Sequence, residues 1–237
     1  MDIKKKLLAD IRRADFDFGL INKGDKIMVG VSGGKDSMAL LYLLSIYQKF
    51  TDKDFDFTGV MLDLGFPKNN LEPIFKFAKE NKIDFRVVDA TNVYPILKQH
   101  MKGDQLPCSI CSRMKKAAIN RVANELGFKK VTFAHHNDDA IETLIMNMTH
   151  GGRFATFSPK MFLQRSQIEF IRPLIYAREK DIISFVKEYN IPIIKSTCTN
   201  DKTSQRALFK KILADHYSTF PDSYDNFSTM LTNIEHE

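Results

Sequence analysis

The sequence has few cysteines and no long hydrophobic run, and these two shortages exclude several classes of protein. Only three of its 237 residues are cysteines, an odd number that argues against a disulfide framework. No hydrophobic run approaches the roughly 20 residues that a membrane-spanning helix needs. The first residues, Met1–Lys6, lack the apolar core of a signal peptide. We therefore expect a cytoplasmic protein with no membrane association.

Length and composition predict one globular α/β domain. Hydrophobic residues make up 43% of the chain and supply a core, while charged residues make up 27% and keep it soluble. The chain shows no internal repeat and no low-complexity tract, so we expect residues 1–237 to form a single domain. Residues 1–22 are predicted to form a basic amphipathic helix, whose apolar face consists of Leu7, Leu8, Ile11 and Ala14.

Short apolar strands alternate with longer helices along most of the chain. This order predicts a doubly wound parallel sheet with right-handed crossovers. The strands are expected at Lys26–Val31, Phe57–Leu62, Phe85–Asp89, Lys130–Ala134 and Ile168–Pro173. The helices that follow them are expected at Ser37–Phe50, Leu71–Asn81, Ser112–Leu126, Asp138–Met148, Glu179–Tyr189 and Ser204–Tyr217. Gly151–Pro159 is interpreted as a basic loop and Ile191–Ile194 as strand-like. Ligands of such sheets bind beyond the carboxyl ends of the strands.

A glycine-containing segment joins the first strand to the first helix of this alternation. Two adjacent glycines allow positive φ angles and bring backbone N–H groups close to a ligand. The positive end of the helix dipole, two hydroxyls and one lysine complete an anion pocket that suits phosphate. An aspartate in the same segment could hold Mg²⁺ on the phosphates. We call the segment the phosphate loop; its residues are Ser32, Gly33, Gly34, Lys35, Asp36 and Ser37.

The spacing of the phosphate loop distinguishes it from the Walker A motif, because Lys35 is followed by Asp36 and the two glycines are adjacent. The order Ser-Gly-Gly-Lys-Asp-Ser instead resembles the PP-loop of the N-type ATP pyrophosphatases. That resemblance implies binding of ATP, cleavage between its α- and β-phosphates, and adenylation of a carbonyl oxygen.

The three cysteines form one C-x-x-C pair, Cys108 and Cys111, and a lone residue, Cys198. The pair is expected on a loop just before a helix, where the helix dipole favours thiolates. The residues alone leave several interpretations open. The pair could be a redox couple, part of a zinc site completed by His135 or His136, or, together with Cys198, the ligands of an iron–sulfur cluster with one open iron. Inert buried thiols are the remaining alternative.

Several other polar groups and strand ends are candidates for the same edge of the sheet. Asp138 and Asp139 could cap the helix predicted to follow them, coordinate Mg²⁺ or align the substrate. Lys115 lies one helical turn after the C-x-x-C pair and could reach a phosphate or a cluster. The backbone near Met61 and that near Ala134 are expected to contact the nucleotide, with the former hydrogen-bonding adenine.

Over residues 4–227 the chain resembles the TtcA-like group, the tRNA 2-thiocytidine synthetases related to the thiouridine-forming TtuA enzymes. The matching features are Gly24-Asp25, Ser32–Ser37, Cys108–Arg113, Ala134–Asp139, Gly151-Gly152, Ile171–Leu174, Arg178–Asp181 and Pro192–Ile194. The resemblance implies a 4Fe–4S cluster held by Cys108, Cys111 and Cys198, and it favours a functional role for Asp139. Two departures stand out: bacterial members usually have a second C-x-x-C late in the chain, and the zinc-binding ends of the thiouridine branch are absent.

The resemblance implies ATP-dependent thiolation of a tRNA base, with cytidine 32 as the expected target. The C2 oxygen would attack the α-phosphate, and sulfur from a cysteine desulfurase or from sulfide would then displace AMP. A net charge of +6 agrees with a polyanionic partner such as tRNA, and a homodimer is among the expected assemblies. Two alternatives remain: a lysidine-type or amidating enzyme with a nitrogen nucleophile, and a nucleotide-binding redox or metal sensor.

Overall fold

The computed structural model of the protein describes residues 2–67, 70–101, 107–194, 205–231 and 235–236. Its centre is a sheet with strand order β3-β2-β1-β4-β7-β6, in which β6 is antiparallel to β7 and the other neighbours are parallel. A separate short pair joins β5 to β8. The strands are β1 Lys26–Gly30, β2 Asp56–Asp63, β3 Phe85–Asp89, β4 Lys130–Thr132, β5 Ala155–Thr156, β6 Lys160–Leu163, β7 Ile168–Ile171 and β8 Glu235–His236.

Helices cover both faces of the sheet, as the prediction of a doubly wound fold requires. Alternate residues of β1 show this directly, because Ile27 and Val29 join one core cluster while Met28 joins another. Both clusters are apolar, as expected for strands that are buried on two sides. The helices are α1 Ile3–Phe18, α2 Lys35–Tyr47, α3 Glu72–Glu80, α4 Val93–Gln99, α5 Cys108–Glu125, α6 Asn137–Gly151, α7 Glu179–Glu188, α8 Gln205–Thr219 and α9 Ser223–Met230.

Several predictions of individual elements were wrong. The basic helix expected over residues 1–22 ends at Phe18, because Gly19 adopts a left-handed conformation (φ 57°) and its N–H donates a hydrogen bond to the Asp15 carbonyl. The loop expected at Gly151–Pro159 contains β5, and β6 follows it as an antiparallel edge strand. Helices α4 and α9 were not predicted, since both are short and lack a clear apolar periodicity.

The N-terminal helix is anchored by a buried carboxylate. Asp15 is 1% exposed and accepts hydrogen bonds from the Ile21 N–H at 2.8 Å, the Tyr47 hydroxyl at 2.7 Å and the Lys53 ammonium at 2.7 Å. These three donors come from the next loop, α2 and the loop after α2. One side chain therefore ties α1 to the body of the protein.

Replacing Asp15 with alanine is expected to lower the free energy of unfolding by about 2–4 kcal/mol, because it leaves the buried Ile21 N–H and Tyr47 hydroxyl without an acceptor and removes the partly exposed ion pair with Lys53. Urea denaturation would measure the change. The matched control is Asp17→Ala on the same helix, which loses an exposed pair with Arg13 and an exposed hydrogen bond from the Tyr176 hydroxyl and should cost about 1 kcal/mol or less. Equal effects of the two substitutions would contradict the anchoring role.

Among the helices of the described ranges, none is both long and apolar enough to cross a membrane.

Candidate active site at the carboxyl edge of the sheet

The strand order creates a crevice between the ends of β1 and β4. From β1 the chain continues through β2 and β3 on one side, whereas β4 lies on the other side of β1. This reversal of strand order is a topological switch point. The connections that follow β1 and β4 diverge there and leave a crevice beyond the carboxyl ends of the two strands. The phosphate loop follows β1, and the N-terminus of α6 follows β4. Both helix N-termini, α2 and α6, therefore face this crevice.

The phosphate loop is held in shape by its own serines. The Ser32 N–H donates to Ser37 Oγ at 3.1 Å, and the two hydroxyl oxygens are also 3.1 Å apart. The Gly34 N–H lies 3.3 Å from Ser32 Oγ, while Ser37 Oγ donates to the Gly34 carbonyl at 3.0 Å. These bonds order the loop before a ligand arrives, which lowers the entropic cost of binding.

Glycine is required at position 33 for two reasons. Its φ of 82° lies in the left-handed region, and a Cβ there would meet Ile194 Cβ at 3.2 Å and Met61 Cε at 3.3 Å. The Gly33 carbonyl accepts a hydrogen bond from the Ile194 N–H at 2.8 Å. The loop is thus packed against the segment that precedes Cys198.

The charged residues of the loop have unequal surroundings. Lys35 Nζ lies 2.9 Å from Asp36 Oδ2 and 2.9 Å from Glu179 Oε1. Asp36 Oδ1, by contrast, is buried without a hydrogen-bond partner among the described residues, and His136 Nε2 lies 3.7 Å away. A buried carboxylate oxygen without a donor needs a partner, and a hard cation such as Mg²⁺ fits it.

Helix α6 begins one residue earlier than predicted and is capped by a histidine. His136 is the N-cap residue: its Nδ1 accepts the Asp139 N–H at 3.4 Å, and Asp139 Oδ2 accepts the His136 N–H at 3.0 Å. The interpretation of Asp138 or Asp139 as the cap residue itself was therefore wrong. A histidine ring nitrogen can accept a hydrogen bond, as a carboxylate oxygen can, so histidine takes the place of the usual small polar cap residue.

The capping bond also orients the His136 ring, because it turns Nδ1 toward the Asp139 N–H. Nε2 lies 3.4 Å from Asp139 Oδ2 and 3.7 Å from Asp36 Oδ1. His136 thus stands between the aspartate after β1 and the aspartate after β4.

Asp139 is held from a third direction by an arginine that the sequence analysis missed. Arg206 Nη1 lies 3.0 Å from Asp139 Oδ1 and 3.3 Å from Glu142 Oε2, and its Nη2 donates to Thr143 Oγ1 at 3.0 Å. Burial, with a contribution from the charge of Asp139, raises the pKa of Glu142 to about 7. The only indication of this cluster in the sequence was the spacing of its two carboxylates, because Glu142 lies three residues after Asp139 on the same helical face.

The C-x-x-C pair lies within the first turn of α5, not on a preceding loop as predicted. Pro107 is extended and acts as the N-cap residue, and the Cys111 N–H donates to its carbonyl at 2.9 Å. Helix α5 runs back to the start of β4, so its N-terminus lies at the carboxyl edge of the sheet. Cys111 is half-buried and packs in a small apolar cluster with Leu64 and Phe66, which follow β2.

Cys198, the predicted third cluster ligand, lies outside the described residues. The strand-like assignment of Ile191–Ile194 was wrong, since these residues join no strand of the sheet. The N–H of Ile194, the last of these residues, instead donates a hydrogen bond to the Gly33 carbonyl. The described chain thus reaches the phosphate loop four positions before Cys198.

The remaining predicted residues are dispersed around the crevice. Met61 is buried near the end of β2 against Gly33, and Ala134 is half-buried just after β4. Lys115 is exposed on α5, one turn after Cys111. Their roles toward adenine, phosphate or a cluster stay predictions.

His135 is a half-buried residue beside the site. Burial lowers its pKa to about 4, so the ring is neutral, and its Nδ1 accepts a hydrogen bond from Arg172 Nε at 3.3 Å. Within the described ranges, which do not include Cys198, no three histidine, cysteine or carboxylate side chains are grouped as ligands of a single metal ion.

Comparisons with known proteins agree with this geometry. Residues 4–216 match the PP-loop domain family. A protein of Nitrosospira multiformis named tRNA-cytidine(32) 2-sulfurtransferase is 35% identical, with 98% of this chain and 78% of that protein covered. The protein of the same name from Idiomarina loihiensis is 36% identical over 98% and 77%.

A solved structure extends the agreement to the fold. The U34-tRNA thiolase NcsA of Methanococcus maripaludis, determined with its 4Fe–4S cluster, superposes with a TM-score of 0.76 at 22% identity, covering 99% of this chain and 82% of that one. The predicted PP-loop fold and the predicted resemblance are therefore confirmed. The chain belongs to the PP-loop family, in the group that contains the tRNA-cytidine(32) 2-sulfurtransferases.

Proposed function

We propose that this protein is an ATP-dependent tRNA sulfurtransferase that replaces the C2 oxygen of cytidine 32 with sulfur. One observation carries the proposal. A phosphate loop and a C-x-x-C helix start lie at the same edge of the sheet, in a chain whose 2-sulfurtransferase relatives match 98% of its length. A lysidine-type or amidating enzyme needs the first feature but has no use for the second.

The phosphate loop binds the triphosphate of ATP in this proposal. Backbone N–H groups at the start of α2 and the Lys35 ammonium supply the positive potential. Asp36 would hold Mg²⁺ through the oxygen that lacks a donor. Together they neutralise the charge that develops on the departing pyrophosphate.

The base is activated through its own carbonyl oxygen. The C2 oxygen attacks the α-phosphorus, the bond to pyrophosphate breaks, and the resulting adenylate makes C2 electrophilic. A sulfur nucleophile then forms the new bond to C2, and the oxygen leaves with AMP. Asp139, fixed by His136 and Arg206, is suited to align the base for both steps, with Lys115 as a further candidate.

The cysteines fit an iron–sulfur cluster. Cys108 and Cys111 begin a helix, where thiolates are favoured. From Ile194, which bonds to the phosphate loop, four residues of extended chain can span at most about 14 Å, so Cys198 is within reach of the site. These three residues would hold a 4Fe–4S cluster, which when bound supplies an open iron for the sulfur atom.

The partners follow from the same chemistry. Sulfur would come from a cysteine desulfurase or from sulfide, and the reaction would take place in the cytoplasm. A base in a single-stranded loop of tRNA can be turned out into such a pocket. Exposed basic residues of α1, Lys5 and Arg12, are available to the phosphate backbone. We also propose that residues 1–237 form a single domain and that the protein assembles as a homodimer.

An anaerobic reaction of the purified protein with tRNA, ATP and sulfide tests the function. Nucleoside mass spectrometry is expected to detect 2-thiocytidine, with one pyrophosphate released per thiolation, and tRNA carrying uridine at position 32 is the control substrate. A product with an amine donor but not with sulfide would support the lysidine-type alternative. Binding of ATP without turnover would support the sensor.

A further inference from the structure

Glu179, the first residue of α7, lies between two lysines from distant parts of the chain. Its Oε1 is 2.9 Å from Nζ of Lys35 in the phosphate loop and 2.5 Å from Nζ of Lys210 on α8. The two ammonium groups therefore share one carboxylate oxygen. Glu179 is also fixed by its backbone, because its N–H donates to Asp138 Oδ2 at 2.7 Å.

The Glu179 carboxylate is negatively charged where the two lysines meet it. Burial raises the pKa of Glu179, but hydrogen bonds from Lys210 and Lys35 outweigh it and lower the pKa to about 2. The Lys210 side chain is about half exposed (51%), whereas Glu179 is 13% exposed. Lys210 thus has room to move, and its partner does not.

We propose that Lys210 is a second triphosphate-binding cation, which Glu179 holds beside Lys35 until ATP arrives. An anion that contacts Lys35 Nζ lies within reach of Lys210 Nζ, since both nitrogens meet the same oxygen. The β- and γ-phosphates leave as pyrophosphate, so two cations at this place would stabilise the leaving group. The inference rests on the proposed function only in taking ATP as the substrate.

A purely structural role is the competing interpretation. Lys210 would then be a tether that joins α8 to α7, and its loss would loosen α8 without regard to which ligand binds. The two interpretations differ in ligand dependence. A phosphate-binding lysine acts on ATP and on pyrophosphate, but not on AMP, which lacks the β- and γ-phosphates.

Calorimetric titrations of the tRNA-free protein with ATP, AMP and inorganic pyrophosphate, with Mg²⁺ present throughout, distinguish them. Lys210→Gln is expected to weaken binding of ATP and pyrophosphate by about tenfold or more, as loss of a charge-assisted hydrogen bond does, and to leave AMP unchanged. Lys210→Arg should restore most of the loss. Lys211→Gln, the exposed neighbour on α8, should match the wild type for all three ligands.

Glu179→Gln supplies a second test that does not depend on the folding of the lysine variant. The amide keeps the size of the side chain but releases both lysines, so ATP and pyrophosphate should bind several-fold more tightly. Equal effects of Lys210→Gln on AMP and ATP, no effect on either, or weaker ATP binding by Glu179→Gln would overturn the proposal. These titrations use no tRNA and no sulfur, so their outcome is separate from that of the thiolation assay.

Discussion

Anaerobically purified Cys111→Ser and Cys198→Ser proteins are expected to lose the visible absorbance and the bound iron of the wild type, and to form no thiolated tRNA. A serine oxygen is a poor ligand for the iron of such a cluster, and only three cysteines are present in the chain. Binding of ATP should be retained, because the bonds that shape the phosphate loop run between its own residues. Iron content, absorbance and ATP titration measure the three outcomes separately.

Ser109→Ala is the matched control for Cys111, because Ser109 is exposed in the same helical turn. It should keep its iron and its activity. If Cys198→Ser retained full iron content, the assignment of Cys198 as a ligand would be wrong, and the redox-pair interpretation of Cys108 and Cys111 would gain support.

Asp36→Asn is expected to slow pyrophosphate release by roughly 100-fold or more, as loss of a group that stabilises transition-state charge does. The amide keeps the size of the side chain but removes the negative charge that a hard cation needs at the buried Oδ1. Thermal stability should change little, because the other oxygen pairs with Lys35 at a partly exposed position. Pyrophosphate release and the melting temperature are the two measurements.

Asp52→Asn serves as the control for Asp36, since it replaces an exposed aspartate in the loop between α2 and β2, at the opposite edge of the sheet. It should release pyrophosphate at the wild-type rate. A wild-type rate for Asp36→Asn as well would remove Asp36 from the proposed magnesium site.

Sequence reasoning succeeded where the structure depends on neighbours in the chain. The phosphate loop was predicted from six consecutive residues, because a glycine pair between a strand and a helix determines its own backbone conformation. The parallel strands were predicted from short apolar runs that are buried on both faces. Sequence reasoning failed at β6, whose antiparallel pairing depends on β7 beyond a turn. It also failed at α4, which is too short to show a helical period.

The sequence by itself determined the turn of the phosphate loop between a strand and a helix, the C-x-x-C pair and the alternation of strands and helices, because each is encoded within a few consecutive residues. Only the tertiary structure decided which distant side chains complete the site. Glu179, Arg206 and Lys210 reach the crevice from α7 and α8. No local pattern marks Arg206 or Lys210, and the motif that contains Glu179 did not indicate its two lysine partners. The physical reason is the strand order, which reverses direction beside β1 and brings the segments after β1, β4 and β7 to one edge of the sheet.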